Sequence, residues 1–228
     1  MNGFDLSTIS SVYVGSTQYS SIYYGSTLIW PTGPQPHDYS LDYFTIESLQ
    51  DSNTIKIAKA KSPANLSLSY STDDGSTWTD LTISAGQNFA TINTGDKIIF
   101  KGVNDSFASA WDSYYRFNAS KNFKAYGNAM SLLWGDSFTN NSEFKSDTTH
   151  NLCGLFYGTT TLIDASNLIL PALTCTSNCY NGAFRGCTNL TIAPQLPATQ
   201  SAISCYSSMF EGDINLEVAP EINLVNMS

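Results

Sequence analysis

Five cysteines come closest to chemistry by type and spacing: Cys153, Cys175, Cys179, Cys187 and Cys205. Three residues separate Cys175 from Cys179, and Cys187 follows close behind. That resembles one knuckle of a structural zinc site, which would need a second knuckle or added histidines. His37 and His150 have no sequence context for a metal site or a catalytic triad. The odd count argues against a complete disulfide framework. Cys153, Cys179 and Cys205 recur at intervals of 26 residues, the behaviour of a small apolar side chain at one repeated core position. A disulfide and a metal site are the other two readings of the set. The core reading predicts that Cys179 and Cys205 are buried, reduced and stacked at equivalent places.

The stretch STDDGSTW, Ser71 to Trp78, fits the Asp-box pattern Ser-x-Asp-x-Gly-x-Thr-Trp position for position. Physically it is a hairpin: Asp73 accepts hydrogen bonds from turn amides, Gly75 supplies a positive φ, and Trp78 packs beneath. The box occurs in sialidases, whose chemistry needs an arginine cluster for the sugar carboxylate. Arg116 and Arg185 are the only arginines, and there is one box rather than one per propeller blade. The sequence therefore predicts a structural hairpin. Carboxylates are plentiful, yet none lies in a recognisable active-site phrase. No catalytic residue, metal ligand or cofactor is assigned, and a non-enzymatic protein is expected.

Composition narrows the partners. The chain has 228 residues, 42% hydrophobic, but only 13% are charged, about half the usual share. Ser, Thr and Asn fill the gap, the makeup of a β-rich protein built for an outside surface. The net charge is −9. A nucleic-acid binder needs a cationic face to displace counterions from phosphate. The nearest basic group, Lys56, Lys59 and Lys61, reads as one solvated strand face. Nucleic acid and anionic membrane are thus excluded as partners. No apolar run approaches the length of a membrane span, and the opening MNGFDLSTISS predicts no signal peptide.

Three pieces must position these residues. Residues 1–30 contain one phrase written twice, VYVGSTQYSS at 12–21 and IYYGSTLIWP at 22–31. Alternating apolar–Tyr residues ended by Gly-Ser-Thr predict two short strands joined by a tight turn. A two-stranded unit is marginal alone, so Tyr13, Gly15, Tyr23, Gly25 and Trp30 are expected to anchor it on another protein. Residues 31–39 carry Pro31, Pro34 and Pro36 and read as a linker. Residues 40–117 hold short β-rich runs between turn residues, the pattern of an antiparallel sandwich. Residues 118–228 are periodic. Leu133–Gly135, Phe156–Gly158, Phe184–Gly186 and Phe210–Gly212 place an apolar residue two before a glycine, and these glycines stand 23, 28 and 26 residues apart. IAP at 192–194 returns as VAP at 218–220. Such a period signals repeats that bury their apolar faces by stacking on one another.

CYNGAFRGCTNLTIAPQLPAT followed by CYSSMFEGDINLEVAPEI resembles the BspA-like leucine-rich repeats of gut bacteria and their phages. YSTDDGSTWTDLT, GDKIIFKG and YGNAMSLLWGDSF resemble the β-domain that often leads into such repeats. VYVGST and IYYGSTLIWP are similar to N-terminal segments of virion proteins of phages infecting gut Bacteroidales, including crAss-like phages. The Gly-Cys pair of the repeats survives only at Gly186-Cys187. The resemblance implies a mainly β chain: an N-terminal β anchor, an antiparallel β-sandwich (Ig-like or BACON-like) and a C-terminal leucine-rich-repeat solenoid. It implies a virion appendage of head-fibre or tail-fibre type on the particle exterior. Such a protein would be a homo-oligomer, bound to other virion proteins through its N-terminus and to host-surface glycan or protein through its repeats. The rival reading is a BspA-like bacterial surface adhesin.

Recognition is expected from outward residues of the repeats. Trp134, Tyr157, Arg185 and Glu211 each stand one place before a repeat glycine, and their variety implies that packing does not dictate them. Leu190 and Ile192 are expected to point in with Thr191 out, and Leu216 and Val218 in with Glu217 out. The last repeat stops at Ser228 with no cap, so an incomplete final coil, continued in a longer natural chain, is expected.

Overall fold

The computed structural model describes residues 37–145 and 147–225, together with the backbone of four strands nearer the N-terminus. The chain divides into two compact units, Met1–Asp38 and Tyr39–Ser228. In the first, β1 (Val12–Val14) pairs antiparallel with β2 (Thr17–Tyr19), and β3 (Ile22–Tyr24) with β4 (Thr27–Trp30). Each copy of the phrase is therefore a hairpin of its own, not a single strand. The registers Val14↔Thr17 and Tyr24↔Thr27 leave only a Gly-Ser pair between strands, the composition of a two-residue hairpin connection. Tyr13 pairs with Gln18, Tyr23 with Leu28 and Trp30 with Ile22. Gly15, Gly25 and residues 31–36 of the expected linker lie outside the described residues.

The second unit is mainly β. Its strands are β5 (Phe44–Ser48), β6 (Asn53–Lys59), β7 (Leu66–Ser71), β8 (Thr79–Ile83), β9 (Gln87–Ile92), β10 (Lys97–Lys101), β11 (Ala108–Ala110), β12 (Ser113–Ala119), β13 (Phe123–Asn128), β14 (Leu162–Asp164) and β15 (Leu168–Ile169). One sheet runs β13-β5-β10-β7-β8 in antiparallel order, and a second runs β11-β12-β6-β9. Period-two patterning puts Ile55 and Ile57 inside while Lys56 stays half exposed. Phe44 and Phe100 of the first sheet meet Phe89 and Phe117 of the second, with ring centroids 4.8 Å apart for Phe44–Phe117 and 5.0 Å for Phe89–Phe100. Burial of such rings, at about 2–3 kcal/mol each, holds two antiparallel-rich sheets face to face, an arrangement consistent with a β-sandwich. Among the described residues, no helix is long and apolar enough to cross a membrane.

The border expected between residues 117 and 118 falls inside β12. The sheets continue through β13, and one hydrophobic core runs from Phe44 to Met209. β13 is the joint. It pairs antiparallel with β5 on one edge and parallel with β14 and β15 on the other. The Leu133–Gly135 copy of the periodic motif does not join the stack. It forms a short helix, α1 (Ser131–Trp134), and a 3-10 turn over Gly135–Asn140. Gly135 donates its N–H to Gly102 instead of to another repeat.

Three coils then follow, at 150–158, 178–186 and 204–212. Each takes a left-handed residue at every fourth position: His150, Gly154 and Gly158; Asn178, Gly182 and Gly186; Ser204, Ser208 and Gly212. In coils 1 and 2 this spacing sorts the backbone N–H groups into two sets. Those of Leu155, Tyr157, Ala183 and Arg185 close their own turns onto the carbonyl three residues back. Those of Leu152, Gly154, Phe156 and Gly158 donate to Cys179, Asn181, Ala183 and Arg185 of the next coil at 2.7–3.0 Å. Coil 2 donates likewise to coil 3, from Tyr180, Gly182, Phe184 and Gly186 to Cys205, Ser207, Met209 and Glu211. Rings stack in step, with Phe156–Phe184 at 5.5 Å, Phe184–Phe210 at 5.4 Å and Tyr180–Tyr206 at 5.6 Å.

This register corrects two expectations. Cys179 stacks over Cys205, but the coil-1 residue at that place is Asn151; Cys153 sits two positions on, against Tyr114 and Ala108. The step from coil 1 to coil 2 is 28 residues, so the interval of 26 from Cys153 was a coincidence of side-chain type. Leu190 is buried, yet Ile192 is 46% and Val218 71% exposed. They form single parallel bridges, Asp164↔Ile192↔Val218, and without a continuous strand there is no alternation to turn them inward.

Two glycines separate backbone strain from crowding. A Cβ on Gly154 (φ +67°) would lie 2.6 Å from the Tyr114 ring, whereas Gly95 (φ +83°) has open space. Gly95→Ala is expected to cost about 1 kcal/mol from conformation alone. Gly154→Ala should cost at least about 3 kcal/mol, because the ring that seats coil 1 must move. Urea titration of both variants measures the difference.

Candidate recognition surface

Tyr157, Arg185 and Glu211 share one offset in three coils, and their coils are held at close spacing by glycine on glycine. A Cβ on Gly186 would stand 3.5 Å from the Gly158 Cα, and one on Gly212 would stand 3.8 Å from the Gly186 Cα. The three side chains consequently form a row. Arg185 Nη2 donates to Glu211 Oε1 at 2.6 Å, and its guanidinium carbon lies 5.6 Å from the Tyr157 ring centroid. The row extends onto the sheet, where Tyr114 of β12 lies 5.2 Å from Tyr157, ring to ring. Arg116 Nη1 donates to the Tyr157 carbonyl at 2.9 Å and fixes that residue's backbone. The result is a strip of aromatic, aromatic, cation and anion. It grows from buried Tyr114 through half-buried Tyr157 and Arg185 to exposed Glu211.

Thr191 and Glu217 form a second, neighbouring row. Thr191 donates its N–H and hydroxyl to the Ile163 carbonyl, and Glu217 donates its N–H to the Thr191 carbonyl. Trp134 belongs to neither row. Its indole Nε1 donates to the Glu143 carbonyl at 2.9 Å and Lys145 lies over its ring, because its glycine is not part of the stack. Sequence reading missed Tyr114 and Arg116, which precede the periodic region and carry no repeat signal. It also missed Asn189 and Asn215, whose side chains donate to the Thr160 and Thr188 carbonyls of preceding coils. The recurrence of Asn-Leu at 189–190 and 215–216 was their available signal.

The Asp-box hairpin connects β7 to β8. Ser71 and Thr77 hydroxyls and the Thr77 N–H all donate to Asp73, and these donors hold its carboxyl down at about 2. Trp78 lies under Gly75 with the Lys101 ammonium 4.1 Å from its ring. Beside it opens a cavity of about 400 Å³ lined by Ser67, Ser69, Asp80, Thr82, Lys101 and Asp136, among others. Lys101 and Asp136 are paired there at 2.9 Å. Among the described residues, no group of three His, Cys, Asp or Glu side chains is placed to hold a metal ion. The surface offers ring faces, one guanidinium and carboxylates, a set suited to contact and hydrogen bonding.

One position under this surface is strained. The residue after each stacked glycine is Thr159, Cys187 or Asp213. Thr159 donates its hydroxyl to the Phe117 carbonyl, and Cys187 its thiol to the Phe156 carbonyl. An ionised Asp213 has no proton to give, and both its carboxyl oxygens are buried without a partner. Burial pushes its carboxyl up to about 6, against the pull of the Gly186 and Cys187 amides. Those amides are already committed to the Glu211 and Phe184 carbonyls. The folded chain thus binds this proton more tightly than the unfolded chain, whose carboxyl titrates near 4. Stability contributed by the neutral acid should fall as pH rises from about 4 to about 6. Asp213→Thr restores a donor and should stabilise the protein by about 1 kcal/mol at neutral pH, discounted for partial exposure. Thermal unfolding of both proteins across pH 4–7 checks the sign. No family model, curated protein or solved structure matches the chain.

Proposed function

We infer that the chain is a non-enzymatic structural protein of a bacteriophage particle, a head-fibre or tail-fibre type appendage. Its N-terminal hairpins dock on other virion proteins, and its stacked coils, read as a BspA-like leucine-rich-repeat solenoid, face the host surface. The Ig-like or BACON-like sandwich serves as a spacer or multimerising collar in a homo-oligomer. The observation that carries the reading is the N-terminal unit. Each VYVGST-type phrase is a two-stranded hairpin in a sheet of two, and such a sheet is marginal until it gains further strands or a packed face. Docking supplies both. The strip from Tyr114 to Glu211 supplies the other end of the reading: ring faces and an ion pair spaced at coil intervals suit a glycan or protein contact. A bacterial surface adhesin of the same repeat class is the alternative, resting on the coils without the hairpins.

Mass spectrometry of purified particles is expected to find this chain as a structural component. Deletion of residues 1–38 should leave 39–228 folded, with an unchanged far-ultraviolet spectrum, and abolish incorporation. A truncated chain that still assembles onto particles would overturn the anchor. Recovery of the chain from bacterial envelopes and not from particles would favour the adhesin.

A further inference from the structure

Three of the five thiols converge between coils 2 and 3. The Cys175 sulfur accepts hydrogen bonds from the Cys179 thiol, the Tyr206 hydroxyl and the Cys205 thiol. Cys179 lies over Cys205, because Asn178 and Tyr180 donate to the Ile203 and Cys205 carbonyls on either side. Cys175 reaches the pair from the preceding turn, where its N–H donates to Gln200 at 2.9 Å and Thr174 bridges Gln200. The remaining two thiols are isolated. Cys153 packs with Ala108 and Tyr114, and Cys187 points at the Phe156 carbonyl. All five are free.

We propose that the cluster is an oxidation site, at which a peroxide joins Cys175 to Cys205 in a disulfide that staples coil 2 to coil 3. The Cys175 thiolate attacks one peroxide oxygen, the O–O bond breaks, and hydroxide leaves with the proton lost from Cys175 to give one water and a Cys175 sulfenic acid. The Cys205 sulfur then attacks the Cys175 sulfur, the S–O bond breaks, and the Cys205 proton leaves with hydroxide as a second water. Two thiols are oxidised and one peroxide is reduced to two waters.

The order of reaction follows from the surroundings. The thiolate is the nucleophile, and three donors aimed at one sulfur stabilise it at Cys175. Led by the Cys179 thiol, they hold it down at about 7 against burial and the nearby Glu143 carboxylate. Burial pushes Cys153 up to about 12 and raises Cys187 and Cys179 as well. Cys175 and Cys205 keep 4% and 5% exposure while Cys179 has none, which makes Cys205 the resolving thiol. Coil 3 is the outermost coil among the described residues, and local opening at the end of a stack admits small reagents. The inference rests on the thiols alone and is independent of the particle reading.

Treat the full chain with hydrogen peroxide at neutral pH, block free thiols in acid, and map the chymotryptic peptides. The expected product is a Cys175–Cys205 cross-link, with Cys153 and Cys187 still alkylatable after unfolding. The melting temperature should rise by roughly 5–10 °C, as for a bond closing a loop of about 30 residues. Cys205→Ala should leave a Cys175 sulfenic acid that dimedone traps, and Cys175→Ala should slow peroxide consumption about tenfold. Oxidation of Cys153 or Cys187 at the same rate would overturn the proposal. So would a pairing through Cys179, or five free thiols after prolonged exposure. Should either variant fail to fold, the bond mapped in the unsubstituted chain decides alone.

Discussion

The structure from Tyr39 onward depends on one directional rule in backbone hydrogen bonding. Each layer gives N–H groups to the carbonyls of the layer that follows it in sequence. Phe107 and Phe117 of the sheets donate to Asn151 and Leu155 of coil 1, coil 1 donates to coil 2, and coil 2 to coil 3. The rule needs a left-handed residue at every fourth position. Only then does one N–H in two close a turn while the next faces forward. Glycine supplies most of these positions, since a Cβ is disfavoured there. Coils built this way stack in register, and the rings of Phe156, Phe184 and Phe210 fall into a column as a consequence.

The same rule explains why the stack is seated on a sheet. A first coil alone would leave its carbonyls and its apolar face uncovered. Here β12 and β13 cover both. Phe156 sits at the junction, 6.0 Å from Phe44 and 6.2 Å from Phe123 on the sheet side and stacked on Phe184 on the other. With backbone and rings fixing the interior, the side chains one place before the stacked glycines are free of packing demands. Tyr157, Arg185 and Glu211 can therefore differ from coil to coil without cost to the fold, and a surface of that kind is open to selection for contact.

Much of this was legible in the sequence, and the failures share a cause. Short-range signals read correctly: strand runs in 40–117, the Asp-box turn and the coil glycines at 158, 186 and 212. What failed were inferences that used spacing without register. Leu133–Gly135 has the motif's residues but follows β13 directly, and its glycine docks on Gly102. Cys153 has the right interval from Cys179 only because the 28-residue step was not subtracted. Ile192 and Val218 look alternating, yet single bridges impose no face. The border at 117 was placed by composition, whereas β12 and β13 are held across it by Phe117 and Phe123 in the shared core. Tyr114 and Arg116 entered the candidate surface from the sheet, where no periodicity marked them.

Residue-resolved amide hydrogen exchange on the intact chain tests the directional rule most directly. The account predicts that the amides of Leu152, Gly154, Phe156, Tyr180, Gly182 and Phe184 are protected to the same degree as Phe117 of β12, because sheet and coils open as one unit. Tyr206, Ser208, Phe210 and Gly212 of coil 3, whose N–H groups meet no backbone carbonyl among the described residues, should exchange orders of magnitude faster. Fast exchange throughout coils 1 and 2 beside a protected β12 would contradict it, since the coils would then be a separate and weaker body.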